Sequence, residues 1–110
     1  MSNQYEVIFV IVNSGFSEEV MSAARECGAR GGTVINARGT AKEEAEKAYG
    51  IVIEPEKEIV LILVNKDIKE PILHAIYKKV GLNSPGQGIA FCLPVDDVMG
   101  LSQPQVNTKE

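Results

Sequence analysis

The chain has few of the residues that build metal centres or disulfide frameworks. Its 110 residues include two cysteines, one histidine and no tryptophan. Cys27 and Cys92 are far apart, neither belongs to a CxxC pair, and each lies in an apolar segment, so we expect two buried, reduced thiols. Because His74 is the single histidine, no tetrahedral metal site can be assembled locally, and we expect no metal.

Long apolar runs and clustered positive charge are also missing. No segment approaches the roughly 20 apolar residues that span a membrane, and the N-terminus lacks the basic and small-residue features of a signal peptide, so we expect a cytoplasmic protein. The formal net charge is −4, and the lysines and arginines are scattered. Since binding a phosphate backbone needs clustered cations, nucleic acid is not the expected partner.

What is present is the apolar pattern of one domain over residues 1–100, followed by a polar tail over 101–110. Strands are predicted at 5–12, 31–37, 57–64 and 89–95. The first helix is predicted between Ser17, as its cap, and Gly28, and the second begins either at 65–67 or at Pro71 and ends at Gly81. This order predicts an α+β, ferredoxin-like βαββαβ fold, with a four-stranded antiparallel sheet and two helices on one face.

Three of the predicted strands are apolar at both odd and even positions, as in VIFVIV, IVLILV and IAFCLPV. A strand with one face in water would alternate between apolar and polar residues. Two helices cover only one face of a four-stranded sheet, so we expect the second face to pack against other copies of the chain. The sequence therefore predicts an oligomer.

Two segments are candidates for function. The connection over residues 39–56 is much longer than a hairpin turn, and Thr40 with Glu43 has the spacing of a capping box before strong helix formers. A solvated loop without function is the alternative. Pro85-Gly86-Gln87-Gly88 precedes the last strand, and its glycines permit a tight turn whose exposed N–H groups would hold an anion. Plain turn geometry is the alternative there.

Together these features resemble the PII family of trimeric signal transducers over residues 5–95. Gly31-Gly32-Thr33-Val34 matches the start of the family's second strand, residues 39–55 match its partner-contacting T-loop, and Gly86-Gln87-Gly88 matches its B-loop. The resemblance implies a homotrimer with adenine-nucleotide sites in the clefts between subunits. The nucleotide-binding residues that it implies are Gly31, Gly32, Thr33, Arg38, Ile62, Gly86, Gln87 and Gly88, and the partner-contacting residues are Thr40, Glu43, Lys47 and Tyr49.

The chain departs from the PII pattern at charged positions. Ile89 stands where typical members carry a phosphate-binding lysine, and Glu56 stands where their loop-base lysine contacts 2-oxoglutarate. The segment after the last strand lacks their phosphate-binding arginines. Arg38, at the root of the loop, is the cation that we expect near the ligand. The pattern therefore favours AMP, ADP or cyclic AMP over ATP as the effector, with no covalent cofactor.

Three kinds of function are compatible with the residues. In a PII-like regulator, a nucleotide would select one conformation of a mobile loop and so change its contact with a target such as a membrane transporter or an enzyme. A ferredoxin-like ligand-binding or assembly module, amino-acid-sensing or CutA-like, would have no nucleotide affinity. A small enzyme is disfavoured, since no nucleophile-and-base or acid–base set is visible, and we assign no catalytic residue.

Overall fold

A computed structural model describes residues 4–40 and 55–101 as one sheet with two helices. The elements are β1 (Tyr5–Asn13), α1 (Ser17–Glu26), β2 (Thr33–Arg38), β3 (Glu56–Asn65), a 3₁₀ turn (Lys66–Ile68), α2 (Lys69–Val80) and β4 (Ile89–Val95). The sheet order is β2-β3-β1-β4, and every neighbouring pair is antiparallel. The predicted ferredoxin-like fold is confirmed. Neither of the two described helices is long and apolar enough to cross a membrane.

The core lies between the two helices and one face of the sheet. Side chains two apart in a strand share a face, and those three or four apart share a stripe on a helix. The strand residues that are buried by this arrangement are Ile8, Val10, Val12, Val60, Ile62 and Val64, and the helical ones are Val20, Met21, Ala23, Ala24, Ile72, Ile76 and Val80. The centre of the sheet thus supplies the buried residues, while the edge strands β2 and β4 are largely exposed.

The opposite face of the sheet is also apolar, but no element of the described chain covers it. The strand register places Phe91, Phe9 and Leu61 in one row across β4, β1 and β3, and the rings of Phe9 and Phe91 stack with centroids 5.3 Å apart. On β4 the exposed fractions are 54% for Ile89, 43% for Phe91 and 47% for Leu93. We call this surface the open face; its residues are Val7, Phe9, Ile11, Ile59, Leu61, Leu63, Ile89, Phe91 and Leu93.

The start of α1 differs from the prediction. Ser17 is the first residue of the helix and not its cap, and the preceding Phe16 offers no capping side chain. Instead, a carboxylate oxygen of Glu58 on β3 accepts hydrogen bonds from the backbone N–H groups of Gly15 (3.1 Å) and Ser17 (3.2 Å). A carboxylate at the positive end of the helix satisfies free N–H donors, as a local cap would.

α2 and β2 also begin a few residues away from their predicted starts. Asn65 accepts a hydrogen bond from the N–H of Asp67 (2.9 Å) and begins the 3₁₀ turn, and α2 follows from Lys69, between the two predicted starts. Pro71 therefore lies in the first turn of α2. Backbone N–H groups in the first turn have no acceptor within the helix, so the absence of an N–H at Pro71 costs no helical hydrogen bond. β2 begins at Thr33, after the glycine pair and not within it.

The two cysteines are free and half-buried against the core, so the expectation of full burial is wrong. Cys27 Sγ lies 3.6 Å from the carbonyl oxygen of Pro71. Burial raises the pKa of the Cys92 thiol, and this effect is opposed by the nearby ammonium of Lys69, which is paired with Glu6 at 3.2 Å. A thiol with a raised pKa is mostly protonated at neutral pH and is a poor nucleophile.

We expect Glu58→Ala to lower the free energy of unfolding by about 1–2 kcal/mol, because it removes the acceptor of two N–H groups at the start of α1. Chemical denaturation at a fixed protein concentration, followed by circular dichroism, measures the change. Glu56→Ala is the matched control, since Glu56 is exposed and its side chain bonds to no other described residue. Equal losses in the two variants would contradict the capping role.

Candidate functional site

The turn before β4 is anchored to the end of β1 by one buried amide. Asn13 is 6% exposed. Its Nδ2 donates to the carbonyl oxygen of Pro85 (2.9 Å), and its Oδ1 accepts from Nζ of Lys57 (2.7 Å). Its backbone N–H donates to the carbonyl oxygen of Gly86 (2.8 Å). Asn13 therefore holds together the end of β1, the start of β3 and the turn, and the sequence gives no local signal for this role.

The N–H groups of this turn are used within the chain. Gly86 donates to Oγ of Ser84 (3.2 Å), Gln87 donates to the carbonyl oxygen of Ser84 (3.0 Å), and Gly88 donates to that of Val80. The expectation that the turn exposes these N–H groups to an anion is therefore wrong for this conformation. A phosphate could reach them only if the turn rearranged.

Close packing accounts for the two glycines of the turn. A Cβ atom on Gly86 would lie 3.1 Å from Cβ of Val80 and 3.3 Å from the ring of Phe16, and one on Gly88 would overlap the carbonyl oxygen of Val80. A larger residue at either position would push the turn away from the end of α2. Gly86 and Gly88 are therefore explained by the geometry of the turn, which was the alternative to anion binding.

The described ends of the long connection meet at the same end of the sheet as this turn. The N–H of Gly39 donates to the carbonyl oxygen of Pro55 (2.6 Å), and Arg38 lies opposite Glu56 in the strand register. Arg38 is exposed, and its side chain makes no hydrogen bond or ion pair with another described residue. Thr40 is also exposed, whereas the other predicted contact residues, Glu43, Lys47 and Tyr49, lie outside the described residues.

The second predicted part of the site is the start of β2. Gly31, Gly32 and Thr33 are exposed. A Cβ atom on Gly32 would lie 2.8 Å from the carbonyl oxygen of Leu61, so this glycine allows β2 to approach β3 closely. The side chain of Ile62 is fully buried in the core, so only its backbone and its exposed neighbours are within reach of a ligand.

These two parts lie on opposite edges of the sheet. Gly31 to Thr33 leads into β2, Gly86 to Gly88 leads into β4, and both β3 and β1 lie between them. Three inter-strand spacings amount to about 14 Å. A single chain therefore does not bring the predicted adenine-binding and phosphate-binding residues together.

A cavity of about 420 Å³ opens beside Gly31, at the end of the sheet where β1 begins and β3 ends. It is lined by Tyr5, Gly28, Ala29, Arg30, Gly31, Leu63, Val64, Asn65, Ile68 and Leu101. Sequence reasoning assigned only Gly31 among these residues. Sequence reasoning missed Arg30, and the one signal for it is a cation placed directly before a glycine pair. In the same described ranges, no three His, Cys, Asp or Glu side chains are grouped to hold a metal ion.

Comparison with known families agrees with this architecture. The family model for the nitrogen regulatory protein P-II matches residues 5–104. The chain belongs to this family. The resemblance drawn from the glycine motifs and the long connection is confirmed, and the chain is a PII-family signalling protein. No curated protein sequence matches the chain significantly.

Solved PII structures share the fold over most of their length. PII from Arabidopsis thaliana, determined with bound citrate, is 29% identical, with a TM-score of 0.68 and coverage of 91% of this chain and 82% of the Arabidopsis chain. GlnK from B. subtilis, in complex with ATP, is 20% identical, with a TM-score of 0.65 and coverage of 86% and 84%. A PII-like signalling protein from Thermus thermophilus is 16% identical, with a TM-score of 0.63 and coverage of 83% and 85%.

We expect Gly88→Ala to lower the free energy of unfolding by about 1–3 kcal/mol, since the new methyl group must displace the Val80 carbonyl or the turn. Thermal denaturation without ligand at a fixed protein concentration measures the loss. Gly31→Ala is the control, because a Cβ atom there would meet no atom within 4 Å. If Gly88→Ala is as stable as the wild type, the packing explanation of the turn glycines fails.

Proposed function

We propose that this PII-family protein is a cytoplasmic, non-catalytic regulator. It acts as a homotrimer, binds an adenine nucleotide between subunits and contacts a target protein through residues 39–56. The observation that carries the proposal is the open face together with the separation of the candidate residues on the two sheet edges. A site that uses both edges requires more than one copy of the chain.

The open face supports self-association. Its residues pair in register across β4, β1 and β3 and form one continuous apolar surface. Large contiguous apolar patches on a protein surface mark interaction sites. Removal of apolar surface from water favours association, against the loss of translational, rotational and side-chain freedom. A homotrimer in which three open faces meet would remove this surface from water and would bring edge strands of different subunits side by side.

The predicted nucleotide site combines exposed backbone with one cation. Gly31, Gly32 and Thr33 offer exposed backbone at the start of β2, and Arg38 offers a guanidinium at its end. Two similar proteins have small anions in their structures: citrate in the Arabidopsis protein and ATP in the B. subtilis protein. Gly86, Gln87 and Gly88 remain predicted neighbours of the ligand, although their N–H groups are used within the turn.

The charge pattern favours AMP, ADP or cyclic AMP over ATP. Ile89 occupies the position of the typical phosphate-binding lysine, and its side chain lies on the open face opposite Ile11. It offers no charge to a triphosphate, and Arg38 is a single cation. Since each additional phosphate must be desolvated, an effector with fewer phosphates matches the charge that is present.

The position of the long connection supports a regulatory mechanism. Its root, closed by the hydrogen bond between Gly39 and Pro55, lies at the same end of the sheet as Arg38 and the turn over 85–88. A nucleotide bound near this root would favour one arrangement of residues 39–56 over others by its differential contacts. A target such as a membrane transporter or an enzyme would bind only one of these arrangements.

We expect AMP, ADP or cyclic AMP to raise the melting temperature more than ATP, and 2-oxoglutarate to have no effect. A ligand at about 100 times its dissociation constant adds roughly 2.7 kcal/mol of stability, which a melting curve resolves. Absence of any shift with all four nucleotides would overturn the nucleotide proposal. Tighter binding of ATP than of AMP would overturn the argument from Ile89.

We expect light scattering to give a mass of about three chains, and Phe91→Glu to yield a monomer, because a carboxylate in the centre of a dry interface would lose its hydration. Tyr77→Glu is the matched control, since Tyr77 is 70% exposed on α2, away from the open face. A trimer that survives Phe91→Glu would show that the open face is not the interface.

A further inference from the structure

Lys57, the second residue of β3, lies between the root of the long connection and the residue that anchors the turn before β4. In the strand register it is opposite Asn13 of β1 on one side and Ala37 of β2 on the other. Its Nζ donates to Oδ1 of Asn13 (2.7 Å). Its aliphatic chain passes close to Gly39, because a Cβ atom on Gly39 would lie 3.0 Å from Cε and 3.5 Å from Cγ of Lys57. One side chain therefore lies against the first residue of the connection and binds the residue that holds the turn.

The glycine at position 39 leaves the space that the lysine occupies. Gly39 does not have a positive φ, so its backbone conformation does not require glycine. Its N–H is fixed by the hydrogen bond to the carbonyl oxygen of Pro55 (2.6 Å). A methyl group at this position would meet Cε of Lys57 inside the usual contact distance, and the flexible lysine is the partner that would move. The position of Lys57 is therefore sensitive to the backbone at the root of the connection.

The Asn13 amide needs Lys57 in this position. Nζ of a lysine only donates and the carbonyl oxygen of Pro85 only accepts, so the two partners fix which end of the amide faces each of them. Asn13 is 6% exposed. If Lys57 withdraws, a buried oxygen loses its charged donor, which is unfavourable unless the amide turns away and gives up its bond to Pro85.

The turn that Asn13 holds is closed and locally unfavourable. Its N–H groups at Gly86, Gln87 and Gly88 donate within the turn or to the end of α2. Gln87 has a φ of 49°, a left-handed conformation that a residue with a Cβ atom adopts only where its surroundings fix it. Two of the bonds that fix the turn come from Asn13, which donates to the carbonyl oxygens of Pro85 (2.9 Å) and Gly86 (2.8 Å).

We propose that Lys57 is a positioning residue: it holds the turn over 85–88 closed through Asn13, and it carries a displacement of the connection's root to that turn. While Lys57 packs against Gly39, its ammonium fixes the amide and the amide fixes the turn. When the root displaces Lys57, the amide loses its donor and the N–H groups of the turn open to water. Only the use of this relay in regulation, by a target bound to residues 39–56, rests on the proposed function.

Amide hydrogen exchange of the ligand-free full chain, resolved by residue with NMR, tests the relay. Lys57→Met keeps the aliphatic chain and removes the ammonium. We expect it to speed exchange at Gln87 and Gly88 by about 10- to 100-fold, as loss of a charged donor to a buried acceptor does. Lys66→Met, at an exposed lysine beyond the other end of β3, is the matched control and should leave these rates unchanged. If the amides of the central strands β1 and β3 speed up by the same factor, Lys57 acts on the whole fold and the relay is overturned.

Gly39→Ala tests the same coupling from the root of the connection. Its methyl group displaces Cε of Lys57, so we expect faster exchange at Gln87 and Gly88, as in Lys57→Met. The double variant should add little to either single variant, because both substitutions break one chain of contacts. Gly31→Ala, whose methyl group meets no atom within 4 Å, is the control. Unchanged exchange at the turn in Gly39→Ala, or full additivity in the double variant, would overturn the relay.

The relay and the proposed function fail separately, since the exchange measurement needs neither a nucleotide nor a target. If nucleotides raise the melting temperature but Lys57→Met leaves exchange at the turn as in the wild type, the relay is overturned and the nucleotide function stands. If no nucleotide binds but Lys57→Met and Gly39→Ala both loosen the turn, the nucleotide function is overturned and the relay stands.

Discussion

The structure depends on one constraint: its sheet is apolar on both faces, but its two helices cover only one. Ile8, Val10 and Val12 point into the helical layer, and their neighbours Val7, Phe9 and Ile11 point away from it. The second face must be buried by other copies of the chain or remain in water. Since the edge strands β2 and β4 carry the candidate binding residues, the contact that buries this face also decides which edges meet. The proposed assembly and the proposed ligand binding would therefore be linked through the same sheet.

The fold was predictable because its signals are local and periodic. Apolar runs, helical stripes and the glycines at their ends gave the element order, and that order allows few topologies. The start of α1 was wrong for a specific reason. Serine is a residue type that favours the N-cap position, but the capping carboxylate comes from Glu58. Glu58 is distant from Ser17 in sequence and lies next to the start of α1 only after β3 has paired with β1. A tertiary contact of this kind leaves no pattern in the sequence around Ser17.

The candidate segments could be predicted from residue spacing, but their hydrogen bonding could not. Spacing alone located the long connection, the glycine pair and the turn before β4. Whether the turn N–H groups are free depends on the Val80 carbonyl and the Ser84 hydroxyl, and these are placed by the end of α2. The cavity was missed because Tyr5, Arg30 and Leu101 come from three separate parts of the chain. Only folding brings a lone cation next to aliphatic surface, so the sequence shows each residue but not the cavity.

The arrangement around Asn13 gives the long connection a short physical link to the turn before β4. Lys57, which follows the connection, donates to one end of the Asn13 amide, and the other end donates to Pro85 in the turn. Both ends of this buried amide are satisfied, and loss of either partner would leave a buried polar group unpaired. A displacement at the root of the connection would therefore act on the turn through one side chain. These two hydrogen bonds join the residues that follow the long connection to the turn before β4.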